Sequence, residues 1–417
     1  MSSRTTGRTG RPTPRGRDRR RGLGVAAALV LGGTLLAACG STADDELVWY
    51  VNPDNGGQAA VAARCSEGKP YTITTQLLPQ DAGQQRIQLA RRIAAGDPGI
   101  DLMSVDPPYT AEFADAGYLA EIPDDVQQRL TDQSFGGAID AATWEDEVVV
   151  APFWSNTQVL WYRKSVVEGT PIGDKLAAGE PVTWDEVIDT AAEKDKAVAV
   201  QANKYEGYVV WINALISGAG GDLVSDVDAG IDASIDIDSA AGEDAARIIK
   251  KLADQAPAPD LSVAQEGQAT ATFGGDAGSF LVNWTYTWTL YDPTQPEVKE
   301  DLGFAPYPQT VAGEESAPPY GGIGIGVSSK SEKTDWALEA MECIVSPENQ
   351  AVNAAYTGNM PASDAGYEAV KSGGPADLPQ AQKDALAAYD DDLIELWTQS
   401  LERAAPRTVT PYWSDIS

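Results

Sequence analysis

The sequence predicts an α/β protein with a mainly parallel sheet. Two observations carry this. From Glu46 onward, strand-like and helix-like stretches alternate, the order in which helices cross over the faces of a parallel sheet. The chain also has 417 residues, 43% hydrophobic and 22% charged, enough for two ordinary domains with real cores.

The elements follow in order. ELVWYV (46–51) alternates as a strand, PDNGG (53–57) is rich in turn formers, and a helix is expected through Cys65. YTITTQLL (71–78) reads as the next strand. Gln84–Ala95 reads as a helix, with Ile87, Ala90 and Ile93/Ala94 on one face and Gly96 closing it. IDLMSVD (100–106) is a buried strand, and YTAEFADAG (109–117) is a helix ending at Gly117. EDEVVVAPFW (145–154) and TQVLWYR (157–163) read as two successive strands. TWDEVIDTAAEK (183–194) opens with the Thr-x-x-Glu capping box of Thr183 and Glu186. VVWINALISGAGG (209–221) is a helix with a glycine-rich stop. Residues 222–238 are acidic and loop-like, and their Asp spacing does not match a calcium-binding EF-hand. Ser239 caps a helix over 240–254. GGIGIGVSS (321–329) is a strand open to close backbone approach. DWALEAMECIV (335–345) is an amphipathic helix, and 372–382 is an exposed loop.

The N-terminus reads as an address. Eight arginines and one acid fall within residues 1–38, followed by the apolar GLGVAAALVLGGTLLAA (22–38). That length suits a signal-peptide core and is short for a spanning helix. Arg19-Arg20 hints at twin-arginine export, but the residues after it fit poorly, so either export route stays open.

Composition excludes several function classes. There is no histidine, so His-based triads, bases and metal ligands are absent. The formal charge is −32, and with the basic N-terminus set aside the rest is more acidic still. Such a surface repels phosphate backbones, so no nucleic-acid partner is expected. Cys65 and Cys343 are too few and too far apart for a zinc site. If a disulfide exists in the exported chain, these two form it; the alternative is two buried thiols. No metal or cofactor is expected.

Five segments in order carry a resemblance. They are SVDPPYTAEFADAGYLAEI (104–122), APFWSNTQVLWYRK (151–164), TWDEV (183–187), EGQATATFGGDAGSFLVNWTYTW (266–288) and TDWALEAMECIVSPENQ (334–350). Together they resemble the family 1 extracellular solute-binding proteins, the sugar-binding subunits of ABC importers, similar to maltose-binding protein. Leu36-Ala37-Ala38-Cys39-Gly40 resembles a lipoprotein cleavage box, with Cys39 as the lipidated residue. With QQRIQLARR (84–92), it points to the trehalose-binding lipoprotein subgroup. The resemblance implies an α/β fold of two lobes joined by a hinge around a ligand cleft. The implied divisions are a signal peptide at 1–38, a lipidated tether at 39–46, lobe 1 at 47–154 and 304–352, and lobe 2 at 158–302 and 358–417. Relatives continue for several helical turns past a segment like TPYWSDIS (410–417), so either lobe 2 ends early or the sequence is a fragment.

The implied function is that of a lipid-anchored receptor outside the cytoplasmic membrane. It is expected to act as a monomer, delivering a di- or oligosaccharide to ABC permease subunits without catalysis. Sugar hydroxyls need fixed donors and acceptors, and the C–H face of the ring needs a flat aromatic platform. Asp106 stands at the C-terminal end of a predicted parallel strand, where open α/β sheets bind ligands. By resemblance it accepts sugar hydroxyls; it also reads as a helix N-cap. Asn156 falls where maltose-binding relatives carry a carboxylate. Glu266, Trp284 as stacking platform, Tyr286 as a second platform, Gly322 for backbone approach and Arg407 as a guanidinium fork complete the main set. Tyr208, Asp54, Asn55 and Gln85 are further candidates, whereas Trp288 and Tyr291 read as packing residues. The competing reading is an exported glycoside hydrolase, with Asp106 and Glu266 as opposed carboxyls.

Overall fold

The computed structural model describes residues 44–291 and 295–417. The expected signal peptide, Cys39 and most of the expected tether lie outside them. The elements that position the site, in chain order, are β1 (Glu46–Val51), α1 (Gly57–Ser66), β2 (Thr72–Leu77), α2 (Ala82–Ala94), β3 (Leu102–Val105) and β4 (Ala151–Arg163). They continue as α3 (Trp184–Glu193), β5 (Ala197–Ala199), α4 (Glu206–Ser217), α5 (Ala240–Gln255), α6 (Glu266–Gly274) and β6 (Gly278–Trp284). Last come β7 (Leu302–Ala305), β8 (Tyr320–Val327), α7 (Thr334–Ile344) and α8 (Pro347–Thr357).

The strands join in the order β2-β1-β3-β8-β4-β6-β5, with β7 also on β4. β4 is the spine. Ala151–Thr157 pairs with β8, and Gln158–Arg163 pairs with β6 on one edge and β7 on the other. One long strand therefore belongs to both halves of the sheet. This is why the two strands expected over 145–163 merge: each side of the Asn156–Gln158 region has its own partners. β3 and most of β4 are buried, but the sheet is mixed rather than mainly parallel. β1–β2, β1–β3 and β5–β6 pair in parallel. β8 runs antiparallel to β3, and β4 runs antiparallel to β6, β7 and β8, because β4 and β8 cross between the two halves.

Local chemistry sets the helices. In α3, Thr183 and Glu186 form both bonds of the capping box. In α5, Ser239 accepts from Gly242 N, and the buried Ala241, Ala245, Ile248 and Leu252 recur at helical spacing. Cys65 on α1 and Cys343 on α7 are joined by a disulfide.

Strand pairing shifts two of the expected lobe divisions. Phe304 and Ala305 pair with Trp161 and Leu160, and Trp184 N donates to Gln309 O. The chain thus stays with lobe 2 beyond 304, because β7 completes that half of the sheet. Likewise, residues just past 358 stay with lobe 1. Ser155 N donates to Met360 O and Phe135 N to Ala362 O, and Arg64 of α1 pairs with Asp377.

Candidate functional site

A cavity of about 180 Å³ opens where the halves meet. Lobe 1 supplies Asn52 at the end of β1, Gln80, Ala82 and Gln85 at the start of α2, and Asp106 at the end of β3. The crossing strands supply Asn156, Gly321 and Gly322. Lobe 2 supplies Tyr205, Glu206, Gly207 and Val210 at the start of α4, Glu266 at the start of α6, and Trp284 at the end of β6. Arg407 reaches in from the C-terminal segment. That segment is pinned from both sides: Tyr320 N donates to Ala405 O, and Asn213 Nδ2 of α4 donates to Pro406 O at 3.2 Å.

Arg407 organises the charge. Its Nη1 donates to Glu206 Oε1 at 2.9 Å and its Nη2 to Asp106 Oδ1 at 3.0 Å. Trp413 Nε1 also donates to both Glu206 oxygens. Burial pushes the Asp106 carboxyl up to about 6; Arg407 pulls it down and Glu206 pushes it further up. Burial works against the charge of Arg407, but Asp106 and Glu206 outweigh it and hold the guanidinium above its ordinary range. Glu266 is raised by burial first, with the Asp106 and Asp81 charges adding to the effect. Burial, then the Glu266 charge, keeps the Tyr205 hydroxyl protonated.

Several lining groups are poised for a donor. Asn52 Oδ1, Asn156 Oδ1 and Tyr205 Oη are buried without a hydrogen-bond partner of good geometry. Asn52 Nδ2 is committed to Gln85 Oε1 at 2.8 Å and Asn156 Nδ2 to Asn359 Oδ1 at 3.2 Å, so the free oxygens are the ones available to a ligand.

Two glycines shape the wall. A Cβ on Gly321 would stand 2.6 Å from Trp284 Cζ3, so the indole rests on that backbone. Gly322 has φ +149°, and a Cβ there would come within 2.3 Å of Trp154 O. Only glycine fits.

The cavity thus gathers Asp106, Asn156, Glu266, Trp284, Gly322, Arg407 and Gln85. Four expected residues lie elsewhere. Asp54 accepts from Gly56 N and Gln58 N and shapes the start of α1. Asn55 is exposed. Tyr208 stacks near Trp211 and lines a separate apolar groove. Tyr286 sits behind the lining, accepting from Asn283 Nδ2 at 3.2 Å and packed on Gly358. Of the packing aromatics, Tyr291 donates to Thr270 O at 2.8 Å, whereas Trp288 is partly exposed beneath Lys299. Asn52, Gln80, Tyr205 and Glu206 were not anticipated. Asn52 ends a parallel strand just as Asp106 does, so the strand-end rule that selected Asp106 also points to it. Tyr205 and Glu206 open α4 after β5, a strand not read in the sequence.

Comparisons with known proteins bear on the fold and the family. Residues 54–351 match the family described as bacterial extracellular solute-binding protein. Maltose-bound MalE3 of T. maritima superposes with TM-score 0.75 at 20% identity, covering 89% of this chain and 91% of that one. An ABC transporter solute-binding protein from Thermotoga lettingae TMO, bound with α-D-tagatose, gives 0.70 at 18% over 89% and 91%. The GacH receptor of Streptomyces glaucescens GLA.O, solved unliganded and with acarbose, gives 0.69 at 17% over 89% of each chain. These likenesses establish the two-lobed fold. The family match spans well over half the sequence, and this chain belongs to the bacterial extracellular solute-binding proteins.

Proposed function

We propose that the chain is a lipid-anchored sugar receptor. It binds a di- or oligosaccharide, with trehalose or another α-linked disaccharide as the specific ligand, and passes it unaltered to an ABC importer. One observation carries the reading: unpartnered amide oxygens, three carboxylates and the indole of Trp284 line a single cavity fed from both lobes. Hydroxyl donors satisfy the oxygens, and a sugar's C–H face suits the indole. The relatives bound to maltose, acarbose and tagatose are consistent with that chemistry. Contacts to both lobes favour the closed state over the open one, by the hinge motion for which periplasmic binding proteins are the standard example. Asp106 is ion-paired to Arg407, which argues against a role as one of two opposed hydrolytic carboxyls.

A monosaccharide is the second reading, favoured by the cavity's modest 180 Å³. Calorimetry with mono- and disaccharides on the mature chain, with product analysis, tests both. A disaccharide is expected to bind and be recovered intact; glycosidic cleavage would overturn the receptor reading. Replacement of Cys39 is expected to release the protein from membranes, and continued tight attachment would refute the lipid anchor.

A further inference from the structure

We infer that the cleft selects its sugar by charge, admitting uncharged or amine-bearing sugars and refusing anionic ones, with Glu266 as the discriminating group. The inference rests on the sugar-receptor reading and adds a ligand class to it.

Three carboxylates line the cavity, from Asp106, Glu206 and Glu266, and Arg407 is the single base among the lining residues. That base is already engaged, Nη1 on Glu206 and Nη2 on Asp106. An incoming phosphate or carboxylate therefore meets no free cation. Glu266 differs from the other two acids. Among the described residues no lysine or arginine forms an ion pair with it, and the charges of Asp106 and Asp81 act on it in the same repelling sense. Of the uncommitted neutral groups, Asn52 Oδ1 and Asn156 Oδ1 are acceptors as well, and the one hydroxyl among them, Tyr205, stands beside Glu266 and is directed to that carboxyl.

An anionic ligand oxygen would thus bring acceptor to acceptor in a partly desolvated site, where like charges repel strongly. A hydroxyl donates to these groups, and an ammonium donates while also offsetting the charge of Glu266. Specificity here comes from the repulsive element as much as from the attractive one.

The test uses a near-isosteric series built on whichever neutral sugar binds. Its exocyclic CH₂OH is replaced in turn by CH₂NH₃⁺ and by COO⁻, and affinities are compared at pH 7.5. The carboxylate is expected to bind at least ~100-fold more weakly than the parent, the size a like-charge contact gives at protein surfaces. The amine is expected within tenfold of the parent or tighter. Glu266→Gln is expected to narrow the gap between the amine and the carboxylate at least tenfold. A carboxylate that binds within tenfold of its parent would overturn the inference, as would an amine refused as strongly as the carboxylate, since shape would then explain both. A gap unchanged by Glu266→Gln would remove that residue from the role. If no neutral sugar binds at all, the receptor reading fails and the inference with it.

Discussion

Arg407 Nη2 lies 3.0 Å from Asp106 Oδ1 although the two residues are 301 positions apart. Asp106 ends β3 in lobe 1, and Arg407, on the C-terminal segment, also donates to Glu206 at the start of α4 in lobe 2. One guanidinium therefore ties both lobes and the C-terminal segment together at the floor of the cleft.

Removing that guanidinium leaves two carboxylates facing each other without a cation. Arg407→Met is expected to destabilise the protein by about 3–5 kcal/mol, the usual cost of orphaning a buried charge. Urea unfolding at pH 7.5 measures this. Adding Glu206→Gln to Arg407→Met should recover part of the loss, and no recovery would show that the arginine acts mainly through packing.

Acidification should affect stability and binding in opposite directions. The Asp106 carboxyl is raised to about 6 in the folded protein, so its ionised form is disfavoured there relative to the unfolded chain. Its cost to stability is fully present above pH 6 and is relieved as pH falls from 6 towards the ordinary carboxylate range. Glu266 shifts in the same sense. Hydroxyl donors prefer the ionised acceptor, so sugar affinity should fall over that same window. The groups acting on Asp106 are Arg407 and Glu206. Calorimetry and thermal unfolding between pH 7.5 and 4.5 report the two trends; affinity that is flat across the window would take Asp106 out of ligand contact.

Gly321 and Gly322 are adjacent but are expected to fail differently. Gly321→Ala drives a methyl into the Trp284 ring, a half-buried side chain that can move aside. It should weaken sugar binding with little loss of stability. Gly322→Ala meets the Trp154 carbonyl and an unfavourable φ, and should cost about 2 kcal/mol or more of stability. Trp284→Ala should cost ~2 kcal/mol or more of binding, as for a buried aromatic anchor. Parallel titrations and denaturation curves of the three variants separate the effects.

The Cys65–Cys343 bond joins α1 to α7 across 278 positions. Replacing both cysteines with alanine should lower stability by about 2–5 kcal/mol, as expected when a long loop is freed in the unfolded chain. Neither cysteine lines the cavity, so sugar affinity at 25 °C should change less than threefold. A large affinity loss would show that this bond also shapes the cleft.

The alternation of strands and helices, the Thr183–Glu186 capping box, the amphipathic faces and the strand-end position of Asp106 were all legible in the sequence. Each depends on residues near one another along the chain, where periodicity and capping act. The aromatic-rich stretch FLVNWTYTWTLY (280–291) divides for the same reason. Phe280, Leu281 and Val282 are core strand residues, and Trp284 is the last residue of β6, where a side chain reaches the cleft. Tertiary structure decided the rest. That β4 is one strand shared by two halves depends on partners more than 100 residues away. That Asn52 faces the cleft while Asp54 turns back onto its own loop depends on which groups that loop leaves unsatisfied. That Arg407 meets Asp106 and Glu206 depends on a C-terminal segment pinned between β8 and α4. Local propensity carries no information about such distances; only burial and hydrogen bonding in the assembled fold select them.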